Sequence, residues 1–392
     1  MNHDDHIRSL SSLEHVRLRP GMYVGGIDSR AMHHLVYEVL DHMVEEALVG
    51  RCDHIWIELR DGQEISIRDN SAGLPVKQYK DTPLIQMQAL LQTFGLRKTQ
   101  FEPGIYQYQI MGGLHGLGLA VVTILTAKMR VQNRREGFLW EQTYEKGLPQ
   151  SPLAKSELAD PDETGTTFTF VPDYTIFDQN DFDRAKLQKR AEHLTYLNPG
   201  LSITLTDLRV KPRWQKTFFA PEGLKTFVAS LRRKAKPLHD LIHIREDLAI
   251  PRPDKPDINV SIEIAFQFSK ADSAQIFSYA NTVETFEGGT HLEAFKSVLL
   301  NHFNEYLDRH PEKFEATPRF TWAEISRGLV AAVSVRLPSP TWSTPTKIIL
   351  RNPEVFGPVA GLVFTALFNQ NWSWLTQEEL VKYHLRKRKS SR

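Results

Sequence analysis

The chain has almost no cysteine. Cys52 is the one thiol among 392 residues, which excludes a disulfide framework and a cysteine metal cluster and fits a reducing compartment. Charge of one sign is also lacking. Forty-eight Lys and Arg against 47 Asp and Glu leave a formal net charge of +1, too little for a protein that coats a polyanion. Long apolar runs are missing too, since the stretch from Val355 to Phe368 contains Pro358 and is too short for a membrane span. The opening Met1-Asn2-His3-Asp4-Asp5-His6 has neither a basic nor an apolar leader region. These absences predict a soluble, cytoplasmic protein with no membrane partner. The pattern G-x-x-x-x-G-K-[ST] does not occur, the glycine-rich stretch lacks the preceding strand of a dinucleotide fingerprint, and no zinc spacing appears among fifteen histidines.

What is present centres on Gly112-Gly113-Leu114-His115-Gly116-Leu117-Gly118, which leads into the apolar run 119–125. Glycine contributes little to packing and weakens a helix interior by about 1 kcal/mol relative to Ala. Glycines that open a helix let backbone N–H groups approach a phosphate at the positive end of the helix dipole. The heptad therefore reads as a polyphosphate cradle, with a flexible hinge as the plainer alternative.

Apolar residues recur at helical spacing from Ala31 to Gly50, leaving Glu38, His42 and Glu45 on the other, polar side. A hairpin follows, turning at Asp61-Gly62, and its second strand runs into the turn-rich Asp69-Asn70-Ser71-Ala72-Gly73. Helices are expected near 81–93 and 173–198, with a long polar loop from Phe94 to Met111 and strands near 129–132, 139–144 and 166–171. A second domain opens near 216, with a helix over 222–235, an alternating strand over 258–268, and a helix from Thr290 to about Leu307. Thr290 and Glu293 there read as a capping box. The tail Arg386–Arg392 and the basic run Arg232–Lys236 are weak candidates for DNA phosphates; the tail reads first as solvated or disordered.

The helix with Glu38, the turn Asp69 to Gly73, the glycine heptad and Thr164-Gly165-Thr166 occur in the order of the GHKL ATPases. Together with Arg19-Pro20-Gly21-Met22-Tyr23, Tyr144-Glu145-Lys146-Gly147, Gly288-Gly289-Thr290-His291 and Pro345-Thr346-Lys347, they resemble the B-type family of DNA gyrase and topoisomerase IV chains. The resemblance runs from about residue 8 to 385. It implies an α+β fold of two domains: a GHKL (Bergerat) ATPase α/β sandwich over 1–215 and a ribosomal-protein-S5-like transducer over 216–392. A cleavage domain with its Glu-Gly-Asp-Ser motif is not expected within this sequence.

The resemblance assigns Glu38 as general base, Asp69 as acceptor for the adenine amino group, Thr166 as support for the base with Gly165 allowing close approach, and Gly73 as a further ATP-binding residue. It makes Gly112, Gly113, Leu114, His115, Gly116, Leu117 and Gly118 the phosphate cradle, Tyr108 a lid residue, and Lys347 a cation for the γ-phosphate. ATP and Mg²⁺ are the implied ligands. DNA, a second copy of the chain and an A-type cleavage subunit are the implied partners. Departures fall mostly at the metal and γ-phosphate positions. His42 stands where the family has an Asn as Mg²⁺ ligand, and imidazole suits an ion that demands oxygen poorly. Gln109 replaces a lid lysine, and Ser71 and Ala72 replace a Gly and an Arg of the family turn. Two readings follow: an ATP-operated clamp of a type IIA topoisomerase, or a hydrolysis-impaired paralogue acting as a nucleotide-binding regulator.

Overall fold

Alternation decides the first sheet. Ile55, Ile57 and Leu59 are fully buried along β1 (His54–Leu59), as are Ile65 and Ile67 along β2 (Ile65–Asp69). The other strands are β3 (Thr126–Arg135), β4 (Phe138–Glu145), β5 (Leu148–Pro149), β6 (Ala154–Glu157), β7 (Gly165–Pro172), β8 (Ser202–Asp207) and β9 (Trp214–Phe219). They hydrogen-bond in the order β5-β4-β3-β7-β2-β1-β8-β9, with β6 also on β4. The structure is a computed structural model that describes residues 10–96, 98–101, 116–252, 255–314, 317–343, 347–369 and 377–390.

The chain divides into two compact units, Met1–Ala220 and Pro221–Arg392. In the first, the helices Ser29–Leu48, Gly118–Leu125 and Arg184–Leu197 share one core with the buried face of the sheet. Met32, Leu35, Val36, Val39, Leu40 and Met43 are fully buried on the long helix, as its periodicity predicts.

Several local expectations are corrected. The helix expected over 173–198 begins only at Arg184, capped by Asp183 Oδ1 on the Ala185 N–H at 2.8 Å. Upstream, Asp173 Oδ1 accepts from the backbone N–H and hydroxyl of Thr175, an Asx turn that competes with a helix. The helix expected over 81–93 is confined to Gln86–Gln92, because the Tyr79 N–H donates to Leu84 O and closes a turn before it. The capping box is absent: Gly289 is the N-cap of helix Thr290–Arg309, and the Thr290 hydroxyl donates to Asn352 O at 2.9 Å.

The second unit is built on β10 (Ile242–Arg252), β11 (Lys255–Phe268), β12 (Gln275–Ala280), β13 (Val283–Glu284) and β14 (Leu329–Arg336), ordered β10-β11-β14-β12-β13. Helices cover both faces. Phe295 of helix Thr290–Arg309 meets Phe266, while Phe227 of helix Leu224–Arg232 meets Phe277, which shares a face with Ala265 through their common partner Ala332. The expected basic tail is instead helical over Gln377–Ser390: Arg388 pairs with Glu324 at 2.7 Å and Lys387 with Asp272. Among the described residues no helix is long and apolar enough to cross a membrane.

Burial holds four histidines of this unit neutral. Desolvation lowers His291 to about 3, and His239, His302 and His384 to about 4. His384 is packed among the rings of Phe268, Phe303, Phe320 and Tyr383. An unfolded imidazole protonates near 6.5, so below that pH the unfolded chain binds protons the folded chain refuses. The fold then loses about 1.4 kcal/mol per pH unit for each such histidine, down to its own folded value. Urea midpoints should hold steady at neutral pH and fall as the pH drops from about 6.5 toward 4.5. His384→Phe should make that fall shallower, and an unchanged slope contradicts the assignment.

Candidate functional site

The site is assembled where β2 ends and β7 begins. Asp69, the last residue of β2, is 1% exposed. Its Oδ1 accepts from the Thr166 backbone N–H at 2.8 Å, from the Ser71 hydroxyl at 2.9 Å and from the Ser71 N–H at 3.2 Å. The Ser71 hydroxyl in turn accepts from the Gly73 N–H at 3.2 Å, so the turn 69–73 is knitted to the carboxylate it presents. The carboxylate also raises the thiol of Cys52, pushed up to about 12 first by burial and then by the negative charge of Asp69.

Two glycines permit this geometry. Gly165 has φ +121°, and a Cβ there would overlap the carbonyl oxygen of Asp69. Gly73 has φ +76°, and its Cβ would lie 2.5 Å from Asn133 Oδ1 and 2.8 Å from Arg134 O. The Arg135 guanidinium donates to Gly73 O at 3.0 Å and braces the far side of the turn.

Glu38 projects from helix Ser29–Leu48 and is 6% exposed, so this carboxylate faces protein rather than solvent. That helix packs on β2 and on helix Gly118–Leu125. A Cβ at Gly118 would collide with Glu38 Oε2, which places the carboxylate against the first residue of the shorter helix. Gly116 has φ +81°, and its Cβ would lie 2.7 Å from Leu96 O. The structure thus brings Asp69, Gly73 and Thr166 together, and separately Glu38 with Gly118 beside Leu117 and Gly116.

Tyr108, Gly112, Gly113, Leu114 and His115 lie outside the described residues. Lys347 belongs to the second unit, 4% exposed with φ +60°. His42 lies one helical turn after Glu38, and its ring meets Phe168 of β7 edge-on at 6.3 Å. It offers nitrogen, which suits Mg²⁺ less well than oxygen does.

Sequence reasoning gave Asn133 and Ser71 no role. The signal for Asn133 was available: it continues the core-facing alternation Met129, Val131, Asn133 and is fully buried, a polar residue at a core position.

Comparison with known proteins follows the same division. Residues 27–176 match the family model described as "Histidine kinase-, DNA gyrase B-, and HSP90-like ATPase", and residues 223–382 match that described as "DNA gyrase B". The chain is 38% identical over 349 residues to the DNA gyrase B protein of Thermotoga maritima, covering 89% of this chain and 54% of the relative. To that of Clostridium acetobutylicum it is 36% identical, covering 92% and 54%. It spans about half the length of these relatives. Among solved structures, the 43K ATPase domain of Thermus thermophilus gyrase B, in complex with an aminocoumarin, superposes with a TM-score of 0.74 at 29% identity, covering 97% of each chain. The DNA gyrase B structure from Myxococcus xanthus gives 0.70 at 25%, covering 92% of this chain and 97% of that one.

The glycine contacts set an ordered series. Gly165→Ala should cost about 3 kcal/mol or more, since strain at φ +121° adds to a backbone collision. Gly50→Ala, at φ +74° with nothing within 4 Å, should cost only about 1–2 kcal/mol. Urea denaturation of both variants checks the series, and equal losses would contradict the close approach at Gly165.

Proposed function

The chain belongs to the DNA gyrase B family, and on that footing we propose that its first unit binds ATP at the Asp69–Thr166 pocket and hydrolyses it with Glu38 as general base. The supporting observation is the buried Asp69 carboxylate, an acceptor-only group fixed by three protein donors where β2 ends. Such a group suits an exocyclic amino donor on a purine. Glu38, held rigidly on a helix at the edge of the glycine segment, suits the polarisation of a water attacking the terminal phosphate. Gly112 to Gly118 serve the phosphates through backbone N–H groups at the start of helix Gly118–Leu125.

In this reading the module is the ATP-operated clamp of a type IIA topoisomerase in the cytoplasm. ATP favours a closed pair of two copies around DNA, and an A-type subunit supplies cleavage. A ligand shifts such an equilibrium only through its different affinity for the two states. One observation favours the second reading, a regulator that binds nucleotide without efficient turnover: His42 presents an imidazole packed on Phe168 where the family places an oxygen ligand.

Asp69→Asn should reduce affinity for a non-hydrolysable ATP analogue by about 1.5–3 kcal/mol, the worth of a hydrogen bond to a charged group. Equal affinity of wild type and variant removes Asp69 from the site. Glu38→Gln should keep analogue binding and slow any turnover by roughly 10²–10⁴, the usual contribution of a general base. His42→Asn separates the two readings: a marked gain in Mg²⁺-dependent turnover supports the regulator, and brisk wild-type turnover left unchanged supports the clamp ATPase.

A further inference from the structure

Asn133 touches both halves of the base pocket, and the proposed mechanism gives it no role. It stands directly opposite Thr166 in the β3–β7 register, on the core face with Met129 and Val131. Its carboxamide pairs with the backbone of Leu74 as a strand would: the Leu74 N–H donates to Oδ1 at 2.7 Å, and Nδ2 donates to Leu74 O at 3.0 Å. These two bonds fix which end is oxygen, because a flipped amide would set donor against donor and acceptor against acceptor. Oδ1 therefore faces Thr166, whose hydroxyl oxygen lies 3.3 Å away. An amide oxygen only accepts, so in this contact the Thr166 hydroxyl is the donor.

The consequence concerns what a ligand meets. While the Thr166 hydroxyl donates to Asn133, its oxygen can act toward a bound base only as an acceptor. Beside it, Asp69 is an acceptor by nature, its Oδ1 already holding the Thr166 N–H and the Ser71 hydroxyl. We propose that Asn133 is a base-selecting residue: it holds the Thr166 hydroxyl as an acceptor, so that the pocket takes a 6-amino-purine and rejects a 6-oxo-purine. The inference rests on the reading of this pocket as a nucleotide site. A 6-oxo group would place its lone pairs against those of Asp69 and Thr166, leaving buried acceptors without donors, the arrangement by which polar sites discriminate most strongly.

Calorimetric titration of the full chain with non-hydrolysable ATP and its inosine counterpart, both free of metal, tests this. Wild type should prefer the adenine nucleotide by at least about tenfold. Asn133→Val, which lets the Thr166 hydroxyl rotate, should shrink that ratio by about tenfold. Thr166→Val should shrink it too, and the double variant no further than either alone, as for two residues acting through one hydroxyl. A merely structural Asn133 would weaken both nucleotides equally, and an unchanged ratio in Asn133→Val overturns the proposal. If Asn133→Val does not fold, Asn133→Asp takes its place. As a neutral buried acid it donates to Leu74 O and accepts from the Leu74 N–H and the Thr166 hydroxyl, so the preference should survive. Loss of preference in Asn133→Asp, or its retention in Thr166→Val, overturns the assignment. Binding of neither nucleotide to wild type overturns the nucleotide reading together with this one. Binding of both without preference overturns the selection by Asn133 alone.

Discussion

The hydrogen bond from the Thr166 backbone N–H to Asp69 Oδ1, 2.8 Å long, joins the end of one strand to the start of another. It exists because residue 165 has no side chain: a Cβ there would occupy the space of the Asp69 carbonyl oxygen. Around that contact the remaining polar groups fall into order. Ser71 closes the turn onto the same carboxylate oxygen, Asn133 ties the turn to β3 through Leu74, and Arg135 holds Gly73 from outside. A buried carboxylate is tolerated in a protein only when its lone pairs are met by donors, and here the backbone supplies two of the three donors to Oδ1. The turn 69–73 and its carboxylate are thus built into the sheet by the chain's own donors.

At the proposed phosphate end, the Glu38 carboxylate lies against Gly118, the first residue of its helix. His42, where oxygen would serve a hard cation, is turned to Phe168. Family membership fixes the general architecture, and these particulars separate the two proposed readings: the clamp requires that His42 leave metal handling intact, and the regulator requires that it impair it.

Much of this was legible from the residues. The period of 3.6 over Ala31 to Gly50 and the alternation of β1, β2 and β11 determined faces that the structure buries, because apolar burial is the strongest local signal a sequence carries. Gly165 reads as a point of close approach, and a Cβ there would meet the Asp69 carbonyl oxygen; the contact of Gly118 with Glu38 was not legible, because the glycine heptad reads as a phosphate cradle. What escaped were side chains acting on distant backbone. Asp173 turns the chain at Thr175 and delays a helix, while Thr290 donates across 62 residues to Asn352 instead of capping. Asn133 is hidden for the same reason, since its partners Leu74 and Thr166 become neighbours only once β3 and β7 pair. The basic residues Lys387 and Arg388 read as a loose tail until Asp272 and Glu324, far earlier in the chain, hold them.

If nucleotide recognition resides in the preformed base pocket, it does not depend on Mg²⁺. Calorimetry on the full chain with a non-hydrolysable ATP analogue, once with a chelator and once with excess Mg²⁺, decides this. Saturable one-to-one binding is expected in both conditions, with dissociation constants within about tenfold, or 1.4 kcal/mol, of each other. Binding that appears only with Mg²⁺, or in neither condition, would contradict a pocket built to recognise the base on its own.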